Sequence, residues 1–453
     1  MSDIFLVGNA AGFSGDRIDA AAPVVASLVA SGRPAALTFE TLAERTLALG
    51  QLARLKDAQG GYEPMLVALM APVLADCVRH DIPIIGNFGA ANPRAAAAAI
   101  HALARRLGIT GLRVAVIEGD DVRHLLAQAT PWEHDPPTDP ADPTLVAANA
   151  YLGAFPIAAA LAQGAQVVVT GRIVDPALTL GPLIARFGWT ETDLNRLAAG
   201  TLAGHLLECG TQVSGGYFAD PGVKDVPGMA SIGFPIAEVT EAGGIVITKA
   251  ANTGGRVCRR TVTEQILYEI HDPEAYLTPD VTLDISGVRV EEIGPNRVAV
   301  TGARGKPPPS TLKATVSLDG GFLGEGEIAY AGANAFARAR LAARTLRERV
   351  AQRGLEVKLR VDLIGLSALH DGDAGELTAA RAENPHGEYR VRLAASSPSR
   401  DAAEAAAREV LALYCCGPAG GAGVRFGVTP RIANRSALVP RDRVNARIAF
   451  IPA

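Results

Sequence analysis

The chain has 453 residues, a formal net charge of −4, 48% hydrophobic residues, 48 glycines and 29 prolines. That length exceeds one ordinary domain and calls for two or three, while the charge leaves no electrostatic footprint for nucleic acid. No apolar run reaches the roughly 18 residues of a membrane helix, and no basic, apolar leader opens the chain. Cys77, Cys209, Cys258, Cys415 and Cys416 lack C-x-x-C spacing and read as reduced thiols, so a cytoplasmic protein that does not bind membranes is expected.

Residues 1–215 alternate short β-branched runs with Ala-rich stretches of helical period, the unit of a parallel α/β sheet. Strand-like runs at 4–7, 82–85, 114–117 and 167–169 each lead into a polar turn. Helices are predicted over 20–31, 42–58, 64–80, 93–107 and 147–163. The Pro-rich segment 130–143 reads as a surface loop. Residues 216–330 carry short alternating segments between Gly and Pro turns and are predicted to be mainly β, with one helix at 262–271. Residues 331–453 return to a small α+β region, with helices at 336–352 and 401–414 and strands at 356–364, 388–394 and 444–450. The fold class is therefore α/β, in three regions.

Ligands of parallel sheets bind beyond the carboxyl ends of the strands, so the polar turns mark the candidate site. The first turn, Gly8-x-x-x-Gly12-x-x-Gly15, departs from the dinucleotide fingerprint. Glu40 only imitates the ribose-binding acid by position, so NAD is not expected. Arg17 beside that turn is a candidate anion ligand. Asn87 follows the second strand directly and suits a substrate carbonyl or carboxylate; Asn92 suits a helix cap as well as a ligand. Glu118, Asp120 and Asp121 place three carboxyls on four positions. They are the candidate general base and acid, with Mg²⁺ as one divalent metal such a group takes.

Arg172 at a strand end, with Asp175 three residues on, is expected either to hold a substrate carboxylate or to form a structural ion pair. His205, Glu208 and Cys209 share one helical face and are placed at the pocket. Lys249 and Arg256 flank a Gly-rich turn suited to an anionic group. The arginines between 338 and 353 read as a solvated helix face. These turns fit a small anionic substrate.

Several runs are similar to the acyclic terpene utilisation (AtuA) family. They include Gly12-Phe13-Ser14-Gly15-Asp16, Asn92-Pro93-Arg94, Val116-Ile117-Glu118-Gly119-Asp120-Asp121, Asn149-Ala150-Tyr151-Leu152-Gly153, Val169-Thr170-Gly171-Arg172-Ile173-Val174-Asp175, Gly204-His205-Leu206-Leu207-Glu208-Cys209 and Gly417-Pro418-Ala419-Gly420-Gly421. The resemblance implies a lyase-type step, hydration or carbon–carbon cleavage, on an acyl-CoA thioester or small polycarboxylic acid. It also implies a small ferredoxin-like partner protein, and a homo-oligomer is expected. The alternative it leaves is a non-catalytic subunit that binds such a ligand for a partner enzyme.

Overall fold

The computed structural model describes residues 3–365 and 387–452. The chain divides into two compact units, Met1–Ser317 with Asn434–Ala453, and Leu318–Ala433. The class is mixed α/β.

The first unit is built on a ten-stranded sheet. Its centre is five parallel strands in the spatial order Ile4–Asn9, Ala35–Phe39, Ile84–Gly86, Val167–Thr170, Val114–Glu118. The strand Val167–Thr170 thus lies between two strands that precede it in sequence. Antiparallel strands extend both sides. Pro235–Thr240, Ile245–Lys249, Arg297–Thr301 and Arg289–Gly294 continue outward from the first strand, and Arg447–Ile451 lies beside Val114–Glu118. The β-rich 216–330 region therefore enlarges the N-terminal sheet, and so does the strand predicted near 444–450.

Central strands buried on both faces must be apolar at every position, which is why they read as continuous runs. Leu37, Phe39, Val114, Val116, Val167 and Val169 face the helices Ala21–Ser31, Leu66–Met70, Leu74–Arg79 and Pro93–Arg106. Val7, Ala36, Ile85, Ala115, Ile117 and Val168 face Phe155–Ala162, Ala177–Phe187 and Leu194–Glu208. The helix predicted over 64–80 is two helices, broken where Pro72 lacks an N–H. That predicted over 147–163 is the strand Leu145–Ala150 followed by Phe155–Ala162, whose Pro156 sits in the first turn.

The second unit runs strand, helix, strand, strand, helix, strand. The strand Thr311–Ala331 enters it and is followed by Ala335–Gln352, Lys358–Ile364, Glu388–Ser397 and Arg400–Cys416; Ala422–Pro440 leaves it. The sheet order Lys358–Ile364, Glu388–Ser397, Thr311–Ala331, Ala422–Pro440 is that of a split βαβ fold. Ile328, Tyr330, Val361, Leu363, Val391 and Leu393 share one face, packed on Phe336, Leu346, Val410 and Leu413 of the two helices. Arg349 and Arg353, predicted to be solvated, instead both pair with buried Glu409. Among the described residues no helix is long and apolar enough to cross a membrane.

Candidate functional site

The carboxyl ends of parallel strands share one edge of the sheet, so the residues that follow them meet. Arg172, two residues past Val167–Thr170, is 1% exposed. Its guanidinium donates from Nε to the Ile173 carbonyl at 2.8 Å, from one terminal nitrogen to the Leu42 carbonyl at 2.5 Å, and from the other to Ile173 and Asp175. The Tyr151 ring lies under it, 4.4 Å from ring centre to Cζ. All three guanidinium nitrogens are thus engaged inside the protein, as a buried arginine requires. Asp175 is the open end of the ion pair, with its side chain 37% exposed. Burial outweighs the pull of Arg172 and holds the Asp175 carboxyl above its usual range.

Asn87 builds the floor beneath this pair. Its Oδ1 accepts from the Thr41 N–H at 2.7 Å and the Thr41 hydroxyl at 3.1 Å, and its Nδ2 donates to Glu40 at 2.5 Å. Glu40 in turn accepts from the Leu42 N–H at 2.9 Å. Asn87 thereby shapes the turn whose Leu42 carbonyl receives Arg172. Burial, then the charge of Asp175, push the Glu40 carboxyl well above its ordinary value. Glu44 behaves in the opposite way. Although burial pushes it up, the Tyr151 hydroxyl donating at 2.5 Å and nearby Lys313 bring it down to about 2.

The helix Leu194–Glu208 supplies the other half of the cluster. His205 Nδ1 and a Glu208 carboxylate oxygen are 2.9 Å apart, and both side chains are buried. Burial pushes the Glu208 carboxyl up to about 7, with Asp175 and Glu269 adding to the rise against the hydrogen bond from His205. Thr201 Oγ1, His205 Nε2 and Glu208 Oε2 are buried with no hydrogen-bond partner. Positions 201, 205 and 208 form one stripe of the helix, and the Tyr276 ring lies 5.6 Å from that of His205. Burial, then Glu208, hold the Cys209 thiol well above its ordinary range, which keeps it protonated and poorly nucleophilic. Asp175 acts electrostatically on Glu40, Glu208, Cys209 and Tyr276, so the two halves form one cluster.

Other candidates lie apart from it. Glu118 forms a two-pronged pair with Arg94 at 2.8 and 2.7 Å, and Asp121 a similar pair with Arg123 at 3.1 and 2.7 Å, both open to solvent. Asp120 is buried and accepts from Asn149 at 2.8 Å and from the Arg172 N–H at 3.0 Å. It positions the strand end carrying Arg172. Asn92 caps the helix Pro93–Arg106, accepting from the Ala95 N–H and donating to the Ala58 and Gly60 carbonyls. Arg17 pairs with Asp19 and reaches the Ile232 carbonyl; Lys249 donates to Thr253; Arg256 is exposed, with its N–H bound to Ser214. Among the described residues, no group of three or more His, Cys, Asp or Glu is arranged to hold a metal.

Glu40, Glu44, Tyr151 and Tyr276 belong to the cluster without having stood out as site residues. Glu40 carried a usable signal, since it follows the strand Ala35–Phe39 directly. A separate cavity of about 360 Å³, lined by Phe5, Leu74, Cys77, Ile82, Ile84 and Pro182 among others, lies at the opposite, amino-terminal edge of the parallel strands. It is apolar, and burial raises its Cys77 thiol to about 12. No curated protein matches this chain. The model of the acyclic terpene utilisation family protein AtuA matches residues 5–450, and the chain belongs to that family.

Proposed function

We propose that the protein is an enzyme catalysing a lyase-type step, hydration or carbon–carbon cleavage, on an acyl-CoA thioester or a small polycarboxylic acid. The observation that carries this reading is the buried Glu208, whose pKa is pushed up to about 7 while one oxygen is left without a partner beside the open end of the Arg172–Asp175 pair. A base poised near neutrality takes a proton next to a carbonyl and returns it at working pH. His205 holds the other Glu208 oxygen and fixes its orientation. Asp175, whose carboxyl is held above its usual range, is the group that hands a proton to the leaving oxygen or carbon. Arg172 positions Asp175, and Asn87 and Asp120 position Arg172. The catalytic assignment thus falls on Glu208 and Asp175 rather than on Glu118 and Asp121, whose oxygens are all paired with arginines, or Asp120, which accepts from Asn149 and the Arg172 N–H.

The test does not require the natural substrate. In D₂O, a panel of acyl-CoA thioesters and di- and tricarboxylic acids is followed by proton NMR for exchange of protons next to the carbonyl. Exchange on at least one compound that disappears in Glu208→Gln supports the assignment. A compound retained by the protein without exchange points instead to a ligand-binding subunit serving a partner enzyme.

A further inference from the structure

Beside the acidic cluster stands a second, aromatic feature to which the proton chemistry gives no role. Tyr217 is 87% exposed, and its backbone lies in the left-handed region at φ 59°. Its ring meets that of Tyr268 edge-on, 6.3 Å between centroids, and Glu269, the next residue, is also left-handed at φ 61°. Bulky residues rarely adopt that conformation. Two such residues, Tyr217 and Glu269, stand at this one ring pair, and the backbone strain they carry keeps a tyrosine out in solvent. Such strain persists where the displayed side chain has a use.

The surroundings say what the use is. Phe218, adjacent to Tyr217, is buried between two cations, with Lys224 Nζ 4.9 Å and Arg260 Cζ 5.6 Å from its ring centre. Lys224 is paired with Glu264 at 2.6 Å. Arg256 is exposed on the neighbouring turn, tied through its N–H to Ser214 at 2.7 Å. The platform is also joined to the cluster. Gln265, three residues before Tyr268, donates to the His205 carbonyl at 3.1 Å, and the charge of Glu269 bears on Glu208.

We propose that Tyr217 and Tyr268, with Arg256 and Arg260, form a binding site for an adenine nucleotide, the handle of a larger substrate whose reacting end enters the Glu208 cluster. An exposed tyrosine face beside arginines matches a planar base carrying phosphates. Only the placement of the reacting end rests on the reading of Glu208 as base; the nucleotide site stands on its own residues.

Calorimetric titration of the full chain with ADP, adenosine and inorganic pyrophosphate tests it. ADP is expected to bind more tightly than either half. Tyr217→Gly relieves the backbone strain while removing the ring, and should weaken ADP by about 5- to 150-fold, the range of base–aromatic stacking. Tyr217→Phe should retain affinity, and Arg256→Gln should weaken ADP and pyrophosphate but not adenosine. Glu208→Gln should leave ADP affinity unchanged, so failure here is distinct from failure of the proton-transfer reading. The proposal is overturned if ADP binds no better than pyrophosphate, or if Tyr217→Gly keeps full affinity. A change in oligomeric mass of Tyr217→Gly by light scattering, without change in ADP binding, overturns it in favour of a contact between copies.

Discussion

Two groups of acids lie at the same edge of the same sheet and have opposite characters. Glu118 and Asp121 follow the strand Val114–Glu118, which has an antiparallel strand on its far side, and each meets a solvent-exposed arginine. Glu40, Asp175 and Glu208 gather near the centre, coupled through the charge of Asp175, and buried Arg172 acts on the first two. Near the edge of the sheet water solvates a carboxylate and a local arginine satisfies it. At the centre burial pushes the Glu40, Asp175 and Glu208 carboxyls up, Glu208 to about 7. Asp120, in the same acidic run as Glu118 and Asp121 but buried, is pushed up as well, so burial rather than the density of acids in the sequence sets the direction.

The contrast breaks most sharply at Arg172. Arg172→Met takes the cation from buried Glu40 and half-buried Asp175, and a loss of about 3–5 kcal/mol of stability is expected by chemical denaturation. Arg172→Lys should lose much of the same, since one ammonium cannot reach the Ile173 and Leu42 carbonyls and Asp175 together. Normal stability with lost ligand affinity would instead make Arg172 a substrate ligand.

Next in size is Glu208→Gln, for which exchange of substrate protons should fall by about 10²–10⁴-fold. Glu118→Gln and Asp121→Asn should stay within about twofold; a deeper fall in either would return the base to the Val114–Glu118 strand end.

Acid should stabilise the centre. Glu208 titrates from an ordinary value of 4.5 up to about 7 in the fold, so the folded state binds the extra proton between those limits. This contribution to stability is complete below pH 4.5 and is lost as pH rises through 7. The titratable groups that face Glu208 are His205, Asp175, Glu269 and Cys209. Melting curves from pH 5 to 8 should decline more steeply for the native chain than for Glu208→Gln. Equal slopes would place the titration elsewhere. The smallest effect belongs to Arg94→Ala, which breaks an exposed pair and should change stability by less than about 1 kcal/mol.

Much of this was legible in the sequence. The continuous Val114-Ala115-Val116-Ile117 and Val167-Val168-Val169 runs announce strands buried on both faces, and Arg172-Ile173-Val174-Asp175 marks a strand-end arginine bound for either an ion pair or a substrate carboxylate. What the sequence withholds is which turn meets which. The insertion of Val167–Thr170 between Ile84–Gly86 and Val114–Glu118 brings Arg172 to Leu42 and Asp120, residues 130 and 52 positions away. Glu40 and Tyr151 become site residues only through that order. The long strands Thr311–Ala331 and Ala422–Pro440 were hidden for another reason. Glycines at 320, 321, 324 and 326, and at 423 and 427, interrupt the alternation that marks a strand.

The chain leaves the first unit after Ser317 and re-enters it at Asn434, and the two residues are joined by a hydrogen bond of 3.2 Å. The strand Arg447–Ile451, which closes the ten-stranded sheet, and the Ile451 carbonyl that meets His101 Nε2 at 2.9 Å both come after the insertion. During synthesis the Val114–Glu118 strand therefore waits for a neighbour made more than three hundred residues later. The intervening unit has all its own strands by then, so it can fold first and hold Ser317 and Asn434 together. A nascent chain released before residue 447 would carry an unpaired strand edge, the kind of surface that chaperones bind and that drives aggregation.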